Sequence, residues 1–238
     1  MSKVHVPIHR IAGFAVATLA IFSTLTSTAL AAPITLVPTD LKPGDTYHLA
    51  FVSSTTRNGT SANIAVYDAH VQSAANAAAN GLGKLTWKAI ASTPTVDARV
   101  HIGVTGSPIY RVDDVRIANN LTDLFDNSLL APLSVTQKGN PANVSSAWTG
   151  SLTNGLRAPG RALGQGAAVR KGLTGAGSGL YLSFRDEFST LALAFYGVSN
   201  LLTVPVVALP EPSSLVLFVS GAVFLFGFGW RRERETAT

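Results

Sequence analysis

The end of the chain restricts the fold most, because it joins an uncharged apolar run to a cluster of arginines. Residues 209–232 read LPEPSSLVLFVSGAVFLFGFGWRR. The run from Leu215 to Trp230 is about 16 residues without a charge, and at about 1.5 Å per residue it spans about 24 Å, near the lower limit for a membrane-spanning helix. We therefore predict one transmembrane helix over residues 215–230, which leaves only the preceding chain for a folded body.

The arginines after this run predict its orientation. Arg231, Arg232 and Arg234 follow the apolar residues directly, and basic residues beside a membrane span favour the cytoplasmic side. The motif Pro210-Glu211-Pro212 then lies just outside the membrane. Its prolines prevent regular hydrogen bonding and keep the segment extended, which is a conformation that a membrane protease can bind.

The other end of the chain has the pattern of a secretory signal peptide. Lys3 and Arg10 precede an apolar stretch over residues 11–25, and Ala29 and Ala31 supply the small side chains that signal peptidase requires. We predict a signal peptide over residues 1–31, cleaved after Ala31. A permanent anchor is the alternative, and it is disfavoured because threonines and serines interrupt a short apolar run.

The C-terminal pattern closely resembles the PEP-CTERM sorting signal of Gram-negative bacteria, which exosortases process. The resemblance covers Leu209 to Glu235 and consists of the Pro-Glu-Pro motif, an apolar helix containing glycines, and the arginine cluster, in that order. It implies export through the inner membrane, transient anchoring by residues 205–238, removal of this tail, and delivery of the body to the cell surface or the extracellular matrix. A simple one-span anchor is the alternative.

The composition excludes several classes of function for the body between these ends. The chain has no cysteine, so its fold must be held by its own core, and neither thiol catalysis nor cysteine-ligated zinc is available. The net charge of the whole chain is +5, but the two ends contain more basic than acidic residues, and the basic residues of the body are scattered. We expect no nucleic-acid partner.

Five strands are predicted from short apolar or alternating runs bounded by turn residues. They cover residues 47–53, 85–93, 108–114, 180–185 and 191–199. The last two are expected to form a closing pair, and residues 138–179, rich in small and polar residues, are expected to be loop. Residues 32–46, rich in proline, are predicted to form an extended linker.

Two helices are predicted from apolar residues at helical spacing. The first covers residues 63–80, with Ser61 or Thr60 as its N-cap and Gly81 at its end. The second is short, lies within residues 119–130, and has Asn120 as a candidate cap. Few helices, short strands and long loops favour an α+β domain over residues 47–204 and disfavour a doubly wound parallel sheet.

The order of these segments also resembles the endostatin-like branch of the C-type-lectin-like fold. The similar stretches are Trp87–Arg99, Ser107–Leu129, Ala147–Gly155 and the final LAFYGVS. This chain lacks that family's disulfide cysteines, its N-terminal zinc-binding histidines and the calcium motifs of sugar-binding lectins. The resemblance therefore implies a fold but carries over no metal, cofactor or sugar site.

Candidate chemical groups in the body favour structure over catalysis. Asp113, Asp114, Asp123 and Asp126 do not have the spacing of a calcium loop and are expected to serve loops and a helix cap. Three histidines, His48, His70 and His101, are far apart in sequence, so a shared zinc site is a minor alternative. Asp97 and Arg99 are expected to tie a loop through a charge-assisted hydrogen bond.

The two body tryptophans, Trp87 and Trp148, are expected to pack in the core, and Trp148 is the candidate for stacking on a ligand if it is exposed. We therefore expect an exported, non-enzymatic surface or matrix protein that binds or scaffolds, with extracellular polysaccharide as the candidate ligand and no cofactor. Its expected partners are signal peptidase, an exosortase-type protease and, transiently, the inner membrane. The alternatives are a secreted hydrolase with an unrecognised site and an inert coat component.

Overall fold

The computed structural model describes residues 35–78, 80–103 and 106–206. The predicted signal peptide, the Pro-Glu-Pro motif, the apolar run 215–230 and the arginine cluster lie outside the described residues. Within the described part of the chain, no helix is long and apolar enough to cross a membrane. The predictions for the two ends therefore stay predictions.

Across the described residues the chain forms nine strands and three α-helices. The strands are Thr46–Val52 (β1), Trp87–Ala89 (β2), Ile109–Arg111 (β3), Arg116–Ala118 (β4), Ser146–Trp148 (β5), Ala168–Leu173 (β6), Arg185–Phe188 (β7), Ala194–Ser199 (β8) and Leu202–Thr203 (β9). The helices are Ala65–Asn76 (α1), Ala98–His101 (α2) and Leu121–Leu124 (α3), and short 3₁₀ turns cover Leu82–Lys84 and Gly179–Tyr181.

The strands form one mixed sheet whose central members are β1 and β8. The order is β4-β3-β1-β8-β5-β6-β7, with β2 also paired to β8 and β9 to β1. β1 runs parallel to β3 and antiparallel to β8. Because β8 pairs with β1 along one edge and with β2 and β5 along the other, all six of its residues are buried.

The sheet separates two apolar cores, and successive residues of β1 alternate between them as a pleated strand requires. Leu49 and Phe51 belong to the first core, where α1 packs. Ala50 and Val52 belong to the second core, which α2, α3 and the 3₁₀ turn at Gly179–Tyr181 cover. A strand buried on both faces reads as a nearly continuous apolar run, which is why β1 and β8 are recognisable in the sequence.

Helix α1 confirms the first helix prediction, but its N-cap was predicted wrongly, and it ends at Asn76 and not at Gly81. The helix begins after Ile64, whose side chain makes no capping bond. Asn63 Oδ1 instead accepts a hydrogen bond from the backbone N–H of Ala65 at 3.0 Å. Ser61 Oγ accepts from Asn63 N at 3.1 Å, so this hydroxyl organises the turn before the helix.

Helix α3 confirms the second helix prediction together with its cap. Asn120 Oδ1 accepts from the backbone N–H of Asp123 at 3.0 Å. Leu124, Phe125 and Leu129 are buried in the second core, as the spacing predicts.

The region from residue 138 to 188 departs most from prediction. β5 and β6 lie in the stretch predicted as loop. The strand predicted over residues 180–185 is wrong, because that stretch begins as a 3₁₀ turn and β7 begins only at Arg185. The predicted closing pair is also wrong, since β7 pairs with β6 and not with β8.

The chain enters and leaves the sheet side by side. Thr46 at the start of β1 is paired with Thr203 in β9. The backbone N–H of Gly44 donates to the carbonyl of Val204 at 3.0 Å, and Val204 N donates to Asp45 O at 2.9 Å. This short antiparallel contact joins the two ends of the described body.

Candidate functional site

A buried histidine on β1 marks the most distinctive polar feature of the body. His48 is 1% exposed, and its Nδ1 lies 2.9 Å from the carbonyl oxygen of Ser199. Because a carbonyl only accepts, the ring proton is on Nδ1. Nε2 is buried and has no hydrogen-bond partner among the described residues. An unpaired buried polar atom is uncommon in folded proteins and calls for a physical reason.

The β1–β8 and β8–β2 pairings place three polar residues in one row. Ala50 is paired with Val198, which puts His48 opposite Asn200. Trp87 is paired with Ser199, which puts Thr86 beside Asn200 on the other side. Asn200 is fixed at this position, since its Oδ1 accepts from Thr86 N at 3.1 Å and its Nδ2 donates to Leu201 O at 3.0 Å.

This row borders a cavity of about 170 Å³. His48, Thr86, Lys88 and Asn200 supply its polar lining, while Ile102, Gly103 and Leu201 supply the rest. His48 and Ile102 are buried and form the floor, whereas Thr86, Gly103, Asn200 and Leu201 are exposed and form the rim. We call this space the His48 cavity.

Lys88 brings a positive charge to the His48 cavity. Its Nζ donates to the carbonyl oxygen of His101 at 2.8 Å, and a Cβ placed on Gly103 would lie 3.8 Å from it. None of the ion pairs among the described residues includes Lys88. An ammonium group has three protons, so this nitrogen can donate to a further acceptor.

Burial determines the charge of the imidazole in the floor. It lowers the pKa of His48 from its ordinary value of 6.5, although the backbone carbonyls of Ser199 and Asn200 act in the opposite direction. At neutral pH His48 is therefore uncharged, with Nδ1 as donor and Nε2 as acceptor. The cavity thus combines one cation with one neutral acceptor.

A histidine–carboxylate pair lies close by but does not line the cavity. His101 Nε2 is 2.8 Å from Asp68 Oδ1, and the same oxygen accepts from the backbone N–H of Ala89 at 2.8 Å. Asp68 is on α1, Ala89 is on β2 and His101 is on α2. The contact therefore joins three elements at one carboxylate oxygen.

The three histidines do not come together. His70 contacts the Thr55 carbonyl oxygen at 3.3 Å and the Phe195 ring edge-on, whereas His48 and His101 lie on β1 and α2. No group of three or more histidine, aspartate or glutamate side chains in the described residues could hold a metal ion.

Both body tryptophans pack in the first core, so the stacking role suggested for Trp148 is wrong. Trp148 is 0% exposed, and its Nε1 donates to Leu191 O at 3.2 Å. Trp87 Nε1 donates to Leu82 O at 2.8 Å, and its ring lies 4.5 Å from that of Phe51. A ring without exposed surface has no face to offer a sugar.

The carboxylates of the loops have structural partners, although Asp113, expected to be solvated, is largely buried in an ion pair. Asp113 binds Arg111 through both oxygens, at 2.8 and 2.6 Å. Asp114 accepts from the backbone and hydroxyl of Thr39 at 3.0 and 2.6 Å. Asp123 and Asp126 accept backbone bonds from Asn119 and Ser128.

Asp97 and Arg99 were predicted to bond to each other and so to tie a loop. Each bonds to a different partner instead, and both still tie a loop. Asp97 Oδ1 accepts from the backbone N–H of Arg157 at 2.8 Å. The backbone N–H of Arg99 donates to Gly155 O at 3.1 Å. Both residues therefore fasten the loop at residues 155–157, each separately.

No protein-family model matches this chain, and no curated protein matches it.

Sequence reasoning named His48 but missed Lys88, Thr86 and Asn200 as its neighbours. Lys88 and His48 are separated by 40 positions, and Asn200 lies far beyond both. The one usable signal was a lysine between the apolar residues Trp87 and Ala89 in a predicted strand. Only the strand order brings the three together.

Proposed function

We propose that this chain is an exported, exosortase-sorted bacterial protein of the cell surface or extracellular matrix, and that its body binds or scaffolds without catalysis. The observation that supports binding is the His48 cavity, whose polar lining consists of one ammonium group, one neutral imidazole, an amide and a hydroxyl. Such a lining can orient a polar ligand, since a few converging polar groups are typical of ligand sites.

The position of the body's ends supports the sorting part of the proposal. β9 returns the chain to the start of β1, so the segment that follows Val204 leaves beside the segment that arrives from the predicted signal peptide. A cut near Pro210-Glu211-Pro212 falls after the last described strand and the last described core residue, Val204.

The contacts of the histidines favour binding over hydrolysis, since the one hydroxyl beside a histidine ring among the described residues, that of Thr55, lies 3.5 Å from His70 Nε2, beyond the usual nucleophile–base distance. A hydroxyl nucleophile needs a base within hydrogen-bond reach to be activated. Among the described residues, the Asp68–His101 pair has no hydroxyl partner, and Asp68 already satisfies a buried backbone N–H. The described residues that line the cavity with Lys88 and His48 include no carboxylate.

A secreted hydrolase is the second candidate function, because Asp68 orients His101 as a carboxylate orients a general base. Activity of the exported protein on simple esters or glycosides, lost in His101→Ala and retained in His70→Ala, would support it. The absence of such activity supports the binding proposal.

The fold part of the proposal is a C-type-lectin-like body. A mixed sheet with three short to medium helices and long connections is consistent with an α+β domain. The resemblance of residues 87–155 to the endostatin-like branch supports the finer assignment, and an experimental structure tests it.

Replacing Pro210-Glu211-Pro212 by three alanines tests the sorting proposal in the native host. The parent protein is expected to lose its tail and to appear at the surface or in the medium. The triple variant is expected to keep its tail and to remain with the inner membrane. Pro205→Ala, outside the motif, is the matched control and should behave like the parent. Equal maturation of the triple variant and the parent would refute the proposal.

A further inference from the structure

His48, in the floor of the His48 cavity, has one ring nitrogen without a hydrogen-bond partner among the described residues. His48 is held by its bond to Ser199, and its other ring nitrogen is buried with no partner among the described residues. A buried acceptor without a partner is energetically unfavourable. A ligand hydroxyl that donates to this nitrogen removes that cost.

In the same cavity, the positive charge of Lys88 is not paired with a carboxylate among the described residues. Lys88 donates one bond, to a neutral carbonyl, and has no carboxylate partner among the described residues. Its nitrogen lies close to Gly103 at the exposed rim. A carboxylate on a ligand can reach this nitrogen from solvent and form a charge-assisted hydrogen bond.

We infer that the His48 cavity binds a sugar acid, with the ligand carboxylate on Lys88 and a ligand hydroxyl on His48. This inference rests on the proposed binding function and names its ligand class. The ligand is either a free sugar acid or the terminal uronate unit of a polysaccharide, since both have the same chemistry.

The spacing of the two groups favours a compact skeleton with acid and hydroxyl at different ends. His48 is on β1 and Lys88 is on β2, with β8 between them. Strands two apart are separated by about 10 Å, and the two side chains extend into the same space from these positions. A six-carbon sugar acid carries hydroxyls at several distances from its carboxylate, so one of them can reach His48 while the carboxylate is on Lys88.

The charge of the site favours a single negative charge. Among the described residues that line the cavity, Lys88 is the one cation, and the imidazole in the floor is neutral. A dianion such as phosphate would leave one charge without a partner in a partly desolvated site. The volume of about 170 Å³ lies below the range of about 300–1,000 Å³ typical of drug-sized ligands, so one sugar unit fits and a longer chain must extend past the rim.

Calorimetric titration of the exported protein, purified from its host, tests the inference. The probes are glucuronate, a glucuronate-terminated oligosaccharide, glucose, propionate and inorganic phosphate. Glucuronate is expected to bind at least about tenfold more tightly than glucose, which lacks the carboxylate, and than propionate, which lacks the hydroxyls. Phosphate is expected to bind no better than propionate.

Two variants connect the binding to the cavity. Lys88→Met keeps the length of the side chain, removes the charge, and is expected to weaken glucuronate binding at least about tenfold. His48→Gln is expected to weaken it to a similar extent, and circular dichroism checks that it is folded. Lys84→Met removes an exposed lysine outside the cavity and should bind like the parent. Equal affinity of the parent and Lys88→Met overturns the inference, as does equal affinity for glucuronate and glucose.

The probes also separate the two ligand sources and the two proposals. Equal binding of glucuronate and the oligosaccharide supports a site for the acidic unit alone, and tighter binding of the oligosaccharide supports a polysaccharide end. If the protein is retained on its host's polysaccharide while Lys88→Met has no effect, the inference fails and the proposed function stands. If glucuronate binds through Lys88 but the tail is never removed, the inference stands and the sorting proposal fails.

Discussion

His48 and Ser199 are joined across β1 and β8 by a hydrogen bond of 2.9 Å from the imidazole Nδ1 to a carbonyl oxygen. This bond assigns the proton of a neutral ring and leaves Nε2 as a buried acceptor without a partner among the described residues. Burial keeps the pKa of His48 below its ordinary value despite this bond, since the charged ring would bury a second N–H that has no partner among the described residues.

The stability of the body should therefore fall in mild acid. Burial lowers the pKa of His48 and of His70 below 6.5, so the unfolded chain binds these protons more readily than the folded chain. The contribution of these histidines to the free energy of unfolding should be fully present above about pH 6.5. It should be lost as the pH drops through the lowered pKa values. Urea denaturation between pH 8 and pH 5 measures this, and His48→Gln should show a smaller loss than the parent. Identical losses would show that His48 does not contribute.

Asp68 should matter for stability more than for any reaction. Asp68→Ala removes the acceptor of a buried backbone N–H at Ala89 and the partner of His101, and should cost about 2 kcal/mol. Asp68→Asn keeps an acceptor oxygen and should cost less. His101→Ala removes one bond at a partly exposed position and should cost about 1 kcal/mol. Chemical denaturation of the three variants gives these values, and a neutral Asp68→Ala would contradict the role of Asp68 as a tether.

Gly150 should tolerate no side chain, for steric reasons beyond its backbone angle. Its φ is +61°, and a Cβ would lie 2.4 Å from the Ser92 carbonyl oxygen. Gly160 has a φ of +69° but open space around it, which makes it the matched control. Gly160→Ala should cost about 1–2 kcal/mol from conformation alone, and Gly150→Ala should cost a further 1–3 kcal/mol from overpacking. Equal losses in thermal denaturation would contradict the close approach at Gly150.

Trp148 should affect folding and leave ligand binding unchanged. Trp148→Ala empties a fully buried site in the first core and should cost about 3–5 kcal/mol. Phe188→Ala, at an aromatic residue that is 66% exposed, should change stability by less than about 0.5 kcal/mol. Trp148→Phe, tested where it remains folded, should bind glucuronate like the parent. A selective loss of binding in this variant would restore the stacking role.

The two central strands could be predicted from the sequence because burial on both faces gives β1 and β8 unbroken apolar runs. β7 could not, because its residues Arg185–Phe188 are mostly polar and form a strand through pairing with β6. Ion pairs fix this edge, since Asp186 binds both Arg161 and Arg170. The secondary-structure propensity of the β7 residues cannot reveal such a contact with distant parts of the chain.

β6 could not be predicted from the sequence for a different reason. Its Gly172 lies among glycines and small residues that indicate a loop, yet a Cβ there would stand 1.6 Å from the Tyr181 carbonyl oxygen. The glycine is needed for close backbone approach and not for flexibility. The 3₁₀ turn at residues 179–181 lies against this position.

The candidate site could not be predicted because it depends on pairing between distant segments. In the sequence, His48 is only one of three histidines of the body, and nothing there connects it with Lys88 or Asn200. The strand order β1-β8-β2 makes them neighbours. The signals for export, in contrast, are local patterns at the two ends and are readable without a structure.

The mass of the intact protein recovered from the outer face of its native host tests the central claim most directly. The account predicts a chain that begins at Ala32 and ends near Pro210-Glu211-Pro212, without residues 215–238. Recovery of surface protein that still ends at Thr238 would contradict it.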